Sequence, residues 1–460
     1  MSIQSEKFLD DAEIKVFDPE HRRKLAFNIK QYDDKVVHGK HQYADLETAK
    51  QRAAALKRKV IENMDKYLIE FEANFIKRGG KVIWAQDADE AIREIVAILK
   101  RIDCKTVVKS KSMTTEEVHL NHHLEKAGIE SVETDLGEFI VQVRDEPPYH
   151  IVTPAMHLSK EDVAKTFHEK FNLPPNSTPQ EITWWVRKRL RAKYQLAEAG
   201  ITGANFIIAD TGAVAVTENE GNAFMSVAFP KVHIAIAGIE KLIPSLTDLD
   251  LFWPLLSTHG TGQNVTVYNS IMTGPRQPDE KDGPEEMYVI LLDNGRTELL
   301  AQTEQREALS CIRCGACLNG CPIYKGVGGH AYGTTYSGPI GSVITPHLRG
   351  MEEFRHLSYA SSLCGKCTEV CPVKIELHKH LLENRRDSVK AGIPKPTERW
   401  TFTFWKKAML SRKLMNKGGA KGKNFILQNF FKAQWGSRRE LPRVAPKSFN
   451  EMWKDRMNGK

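Results

Sequence analysis

The sequence predicts a parallel α/β domain, then a short cysteine-rich metal-binding region, then a basic tail. Three observations predict it. From Val82 onward, strand-like and helix-like patterns alternate, and such alternation builds a parallel sheet with crossover helices. Seven of the eight cysteines fall between Cys311 and Cys371. Residues 391–460 carry 17 Lys and Arg against 4 Asp and Glu, a net of +13, which leaves −5 for residues 1–390.

Each element follows in order. A chain of 460 residues has room for two or three domains, each with its own core. Residues 1–57 are polar and helical in texture and read as an N-terminal arm. Residues 58–78 place apolar side chains at helical spacing and stop at Gly79-Gly80. Val82 to Trp84 reads as a strand, Asp87 opens a helix to Lys100, and Thr106 to Val108 is a second strand. Thr114 and Glu117 have the spacing of a capping box for a helix ending at Gly128, and Val132 to Thr134 is a third strand. Ser159–Phe171 and Gln180–Glu198 read as helices. Two short strands around Thr211-Gly212 follow, then strands in KVHIAIAG, VTVYN and MYVILL. The α/β domain is therefore expected over 58–300. A polar helix from Leu299 to Ser310 leads into a cysteine region over 301–385, and 386–460 is the tail.

No run of about 18 apolar residues is present, so no membrane span is expected. Met1 to Ala26 has no apolar stretch of the kind that marks a secretory signal, so the expected compartment is the cytoplasm. An acidic 1–390 argues against a nucleic-acid binder. Clustered cysteines in a reducing compartment point to metal rather than disulfides, and Cys104 alone lies outside the cluster.

Cys311-x2-Cys314-x2-Cys317-x3-Cys321-Pro322 is the bacterial ferredoxin run. A [4Fe–4S] cube needs one thiolate per iron, and the cysteine before Pro ligates the other cluster of a pair. A second run, Cys364-x2-Cys367-x3-Cys371-Pro372, implies crossed ligation. Cluster one takes Cys311, Cys314, Cys317 and Cys371; cluster two takes Cys321, Cys364 and Cys367. The first cysteine of the second run is replaced by Ser361, so Ser361, Ser362, water or an open iron completes that corner. Structural zinc also uses C-x2-C pairs, but seven cysteines do not divide into sets of four. Two iron–sulfur clusters are expected, with no flavin or nicotinamide, because no Gly-rich dinucleotide fingerprint appears.

Several stretches carry a resemblance to a known family. They are VVKSKSMTTEE (Val107 to Glu117), ETDLGE (Glu133 to Glu138), GITGANFIIADTGAVAVTENEGN (Gly200 to Asn222), GGHAYGTTYSGPIG (Gly328 to Gly341) and SSLCGKCTEVCPVKI (Ser361 to Ile375). In these the chain resembles the lactate utilization protein B family. The resemblance implies an α/β LUD domain, of the ribose-5-phosphate isomerase and CoA-transferase type, followed by an α-helical ferredoxin-like [4Fe–4S] dicluster domain. It implies electron transfer in the oxidation of L-lactate to pyruvate. It also implies a cysteine-rich partner and a second, shorter LUD protein.

Candidate residues in the α/β domain are fewer. Lys109 and Lys111 follow the second strand, where open α/β sheets place ligands; solvated surface lysines are the plain alternative. Asp210-Thr211-Gly212 and Asn219-Glu220-Gly221-Asn222 read first as turns. The CoA-transferase resemblance makes Glu220 a candidate nucleophile or base. His157 and His259 read as structural. The glycines of Gly326–Gly341 permit close backbone approach to a cluster. The tail interleaves Trp400, Phe402, Trp405, Phe430 and Trp435 with Lys and Arg. That texture suits a protein partner, the chain's own acidic part or weak association with an anionic membrane surface.

Three functions compete at this point. They are an electron-transfer subunit, an enzyme whose LUD domain binds lactate or an acyl substrate and feeds the clusters, and an interaction module with structural clusters.

Overall fold

The computed structural model describes residues 2–436 and 440–459. They divide into two compact units, Met1–Ser388 and Val389–Lys460.

The larger unit holds two sheets. Strands β1 (Lys81–Ala85), β2 (Thr106–Lys109), β3 (Glu130–Glu133), β4 (Ala199–Gly203), β5 (Phe206–Ile208), β6 (Ala213–Glu218), β7 (Val232–Gly238), β8 (Leu242–Ile243), β9 (Tyr268–Met272) and β10 (Glu286–Leu292) build them. Six form a parallel sheet in the order β1-β10-β7-β4-β2-β3. The other four form a mixed sheet, β8-β5-β6-β9.

Side-chain alternation splits the parallel sheet between two cores. Ile234, Ile236 and Ile290 face one core with Ala91, Ile95 and Leu99 of the helix Ala88–Arg101. Ala235, Ala237, Val289 and Leu291 face the other. That helix forms where expected because the Asp87 side chain accepts from the Glu90 N–H at 2.8 Å. Its apolar residues also recur every three or four positions. Helices Lys160–Phe171 and Pro179–Leu196 cover β2 and β3 through Phe167, Ile182 and Val186.

Four local expectations are corrected. The helix expected over 58–78 breaks at Asn63, giving Leu46–Glu62 and Met64–Lys77. The Thr114/Glu117 box does not form; Ser112 caps a short helix Met113–Glu117, and the chain turns at His119 (φ 51°) into Leu120–Lys126. Glu117 is instead drawn into a buried ion pair with Arg296. The helix expected over Leu299–Ser310 is a turn of helix at Arg296–Leu300 followed by a 3-10 segment, Gln305–Ser310. The strand expected in VTVYN starts later, at Tyr268.

The N-terminal residues form the helices Ile3–Val16, Pro19–Gly39 and Leu46–Glu62. Their Phe8, Leu25, Ile29 and Val60 belong to the same core as Ile207 and Leu255 of the α/β part and Leu318, Tyr324 and Ile340 of the cysteine region. One core therefore ties all three segments together. The Tyr149 loop is the tightest junction. Tyr324 Oη donates to the Tyr149 carbonyl at 2.9 Å, and a Cβ on Gly328 would stand 1.4 Å from the Tyr149 hydroxyl. No side chain fits there, so glycine is required.

The smaller unit carries the helices Pro396–Leu410, Arg412–Asn416, Gly419–Ile426 and Phe449–Met457, none with a buried side chain. Ser448 and Glu451 close a capping box on the last. Among the described residues no helix is long and apolar enough to cross a membrane.

Candidate metal centres and the adjoining cavity

The two cysteine runs are the same loop built twice. In the first, Arg313 (φ 60°) and Gly315 (φ 80°) take left-handed conformations before the helix Ala316–Gly320 carries Cys317. In the second, Leu363 (φ 54°) and Gly365 (φ 78°) do the same before Lys366–Glu369 carries Cys367. Left-handed non-glycine residues are uncommon, so the matched pair is informative. The Arg313 N–H donates to the Cys311 sulfur at 3.4 Å, and the Leu363 N–H donates to Ser361 Oγ at 3.1 Å. Ser361 occupies the position that Cys311 has in the first loop.

The thiols sort by neighbourhood rather than by run. Cys311, Cys314, Cys317 and Cys371 line one small apolar cavity with Ile340 and Val373. Burial, then the neighbouring Cys311, Cys314 and Cys371, holds the Cys317 thiol well above its usual range. Burial pushes Cys371 up to about 12, with Cys311 adding to it. Cys321, Cys364 and Cys367 form the second group. Burial, then Cys321 and Cys364, brings Cys367 up to about 11. Cys364 is exposed, and the Lys366 N–H and the Ser362 hydroxyl lower its thiol.

This donor set fits iron–sulfur chemistry. Thiols buried in an apolar hole stay protonated by themselves, and a bound metal's charge turns them into thiolate ligands. Backbone N–H groups are already aimed at sulfur: besides Arg313, the Ile375 N–H donates to Cys371 at 3.4 Å. Among the described residues no three His, Cys, Asp or Glu side chains gather to hold a single ion; thiolates on separate corners of a cube need not converge on one point. Cys104 lies apart, under β2, with its sulfur 3.5 Å from the Thr106 carbonyl.

A buried charge network adjoins the first group. Arg296, 1% exposed, donates from Nε to Glu240 at 2.5 Å and from Nη2 to Glu117 at 2.8 Å. Tyr336 Oη donates to Glu117 at 2.6 Å. Arg313 reaches Glu240 at 3.4 Å and lies 4.4 Å over the Tyr336 ring. Burial opposes the charge on Glu240, but Arg296 and Arg313 outweigh it and hold the carboxyl at about 2. Lys57 donates to the carbonyls of Glu240 and Leu242 at 2.6 and 3.1 Å, and burial brings its ammonium down to about 7. Burial, then Arg313, brings Lys241 down to about 8.

A cavity of about 560 Å³ opens at the carboxyl edge of the parallel sheet. Ser110, Lys111, Asp135 and Gly203 border it there, where the location rule for open sheets puts a ligand. Lys241, Arg313 and Cys314 also line it, so it reaches the first cysteine group.

Of the sequence candidates, the cavity takes Lys111 and Glu220. Lys111 donates to the Val152 carbonyl at 2.6 Å, and burial lowers its pKa. Glu220 accepts from the Leu136 N–H at 3.1 Å; burial, then Asp135, brings its carboxyl up to about 7. Lys109 is not at the cavity. It is buried in an ion pair with Glu133 at 2.6 Å. Asp210-Thr211-Gly212 is a turn between β5 and β6, with Gly212 at φ 59°. His157 pairs with Glu146 at 2.8 Å, and His259 donates to the Leu255 carbonyl at 2.9 Å. The Gly326–Gly341 loop packs against Tyr149 through Gly328 and Gly329. Sequence reasoning missed Lys241, Arg313 and Asp135. Of these only Arg313, inside a C-x2-C step, carried a local signal.

Residues 68–292 match the LUD domain and residues 307–375 the 4Fe-4S dicluster domain. The second match makes iron–sulfur clusters the cofactors of this chain. The chain is 42% identical over 416 residues to "Lactate utilization protein B" of Bacillus cytotoxicus, covering 88% of this chain and 87% of that one. Proteins of the same name from Bacillus thuringiensis and Bacillus anthracis are 41% identical over the same shares of each chain. Among solved structures, a DUF162 family protein from Deinococcus radiodurans is similar at 12% identity and a TM-score of 0.28, over 50% of this chain and 98% of that one.

Proposed function

Since the chain belongs to the lactate utilization protein B family, we propose that it is the iron–sulfur electron-transfer subunit of a system that oxidises L-lactate to pyruvate. The observation that carries this reading is the sorting of seven cysteines into an inner group that lines one small apolar cavity and an outer group with one exposed thiol. Cys311, Cys314, Cys317 and Cys371 would hold the inner cluster. Cys321, Cys364 and Cys367 would hold the outer one, with Ser361 at its fourth corner. When bound, each cluster supplies one-electron transfer, and L-lactate gives up two electrons and two protons in becoming pyruvate, so a pair matches the count.

This chain's own residues do the rest. Ile340 and Val373 keep water from the inner thiolates, and Arg313 and Lys241 put positive charge beside them. Cys364 brings the outer group to the surface, where a partner subunit can exchange electrons. The partners would be a cysteine-rich subunit and a shorter LUD protein. The system would work in the cytoplasm, whose reducing poise keeps thiols free for iron.

Anaerobic purification should give about eight irons per chain and reducible clusters by EPR. With both partner subunits and L-lactate, the clusters should become reduced. Clusters that dithionite reduces but the complete lactate-fed system leaves oxidised would remove the chain from the electron path.

A further inference from the structure

The cavity between the sheet edge and the first cysteine loop has a charged layout that electron carriage does not require. Its wall at the loop is basic. Arg313 is 9% exposed there and uses only Nη2, toward Glu240; its buried Nε and Nη1 have no hydrogen-bond partner. Lys241 is 8% exposed, borders the same space, and has no carboxylate or carbonyl paired with its ammonium among the described residues. The nearby carboxylates are already engaged: Glu117 and Glu240 both hold Arg296. The cavity also has an acidic side, where Asp135, Glu218 and Glu220 outnumber Lys111, whose ammonium donates to the Val152 carbonyl.

We propose that this cavity is a carboxylate-binding site, in which Arg313 and Lys241 hold the carboxylate of a small 2-hydroxy or 2-oxo acid beside the loop that carries Cys314. Guanidinium and ammonium donors left unpaired at a buried wall are costly unless an anion completes them. The acidic side selects against a second negative charge, which favours a monoanion over a phosphate. It also offers acceptors to a hydroxyl. Ligand cavities of 300–1,000 Å³ are usual, so about 560 Å³ holds such an acid with water or a longer chain. The choice of a hydroxy or oxo acid rests on the lactate role proposed above; the anion seat itself does not. Binding places a negative charge beside the inner cluster and should lower its potential.

The test uses the anaerobic full-length holoprotein without partners. Titration with L-lactate and with pyruvate should give saturable heat and a downward shift in the midpoint of one cluster. Lys241→Gln should weaken binding roughly tenfold or more with iron content unchanged, as expected for losing a charged hydrogen bond. Arg313→Lys keeps the charge but not the planar donor and should also weaken it. Absence of saturable binding would overturn the site, as would unchanged affinity in both variants. So would displacement of L-lactate by equal inorganic phosphate, which would mark a generic anion seat. Reduction by the lactate-fed complete system is read on the same preparation. If binding fails while reduction persists, only this inference falls; if reduction fails while binding persists, only the carrier role falls.

Discussion

Arg313 and Leu363 occupy the same left-handed turn, and each sends its N–H two residues back, one to the sulfur of Cys311 and the other to the oxygen of Ser361. The surroundings of the two loops differ. The first is enclosed by Ile340, Val373 and a network with Arg296, Arg313, Lys57 and Lys241. The second has an exposed cysteine whose thiol is lowered by a neighbouring N–H and hydroxyl. A motif of a few residues fixes how a loop wraps a cluster. What the cluster then does depends on side chains brought from far away in the sequence.

The largest expected effect tests that difference directly. Cys317→Ser should remove the inner cluster and cost on the order of 5 kcal/mol, because it empties an enclosed apolar cavity, whereas the outer group reaches the surface at Cys364. Cys364→Ser should empty the outer site yet move the anaerobic Tm by no more than about 4 °C. Iron counts with calorimetry measure both, and equal losses would break the distinction between the loops.

Lys57 gives a pH signature to the inner side alone. Its folded pKa, about 7, lies below the ordinary 10.5 because of burial, so the unfolded chain holds more protons between those values. Stability should therefore rise as pH goes from about 7 toward 10.5. Lys57→Met should flatten that rise by on the order of a few kcal/mol, read by urea unfolding at several pH values. An unchanged slope would mean that Lys57 does not titrate there.

How much of this was legible depended on distance along the chain. The Asp87 cap, the βαβ alternation and the Ser361 register rest on neighbours within a few residues, and each could be read locally. The Arg296 network could not. Arg296 is 56 residues from Glu240 and 179 from Glu117, and no periodicity records that meeting. The same meeting explains the misread capping box, since Glu117 is engaged by Arg296 instead of a helix terminus. The N-terminal helices hid their role for another reason: Pro19–Gly39 buries only a few side chains among many charges.

Ser361→Cys sharpens the comparison on its outer side. A fourth thiolate should make the outer cluster resemble the inner one, slowing its loss of iron in air by several-fold while activity with partners persists. EPR during timed air exposure reads it. Unchanged oxygen sensitivity would mean that the outer corner is not at Ser361.

The smallest expected effect concerns the tail. Truncation after Lys390 removes residues of a separate compact unit, so iron content and both EPR signals should stay within error. Co-purification with the partner subunits should weaken, most at low salt, where the basic residues that steer assembly are least screened. Loss of iron on truncation would make the tail part of the cluster fold.

The position of β10 also sets an order of events during synthesis. It lies between β1 and β7, yet it is the last strand of the sheet to be made. Until Glu286–Leu292 leaves the ribosome, β1 and β7 each present an unpaired edge, a condition that invites misassembly. The cysteine loops emerge only after that gap can close. The cysteines therefore emerge beside a sheet that can already be complete, and a slowed closure of β10 should show as slower maturation of the metal centres.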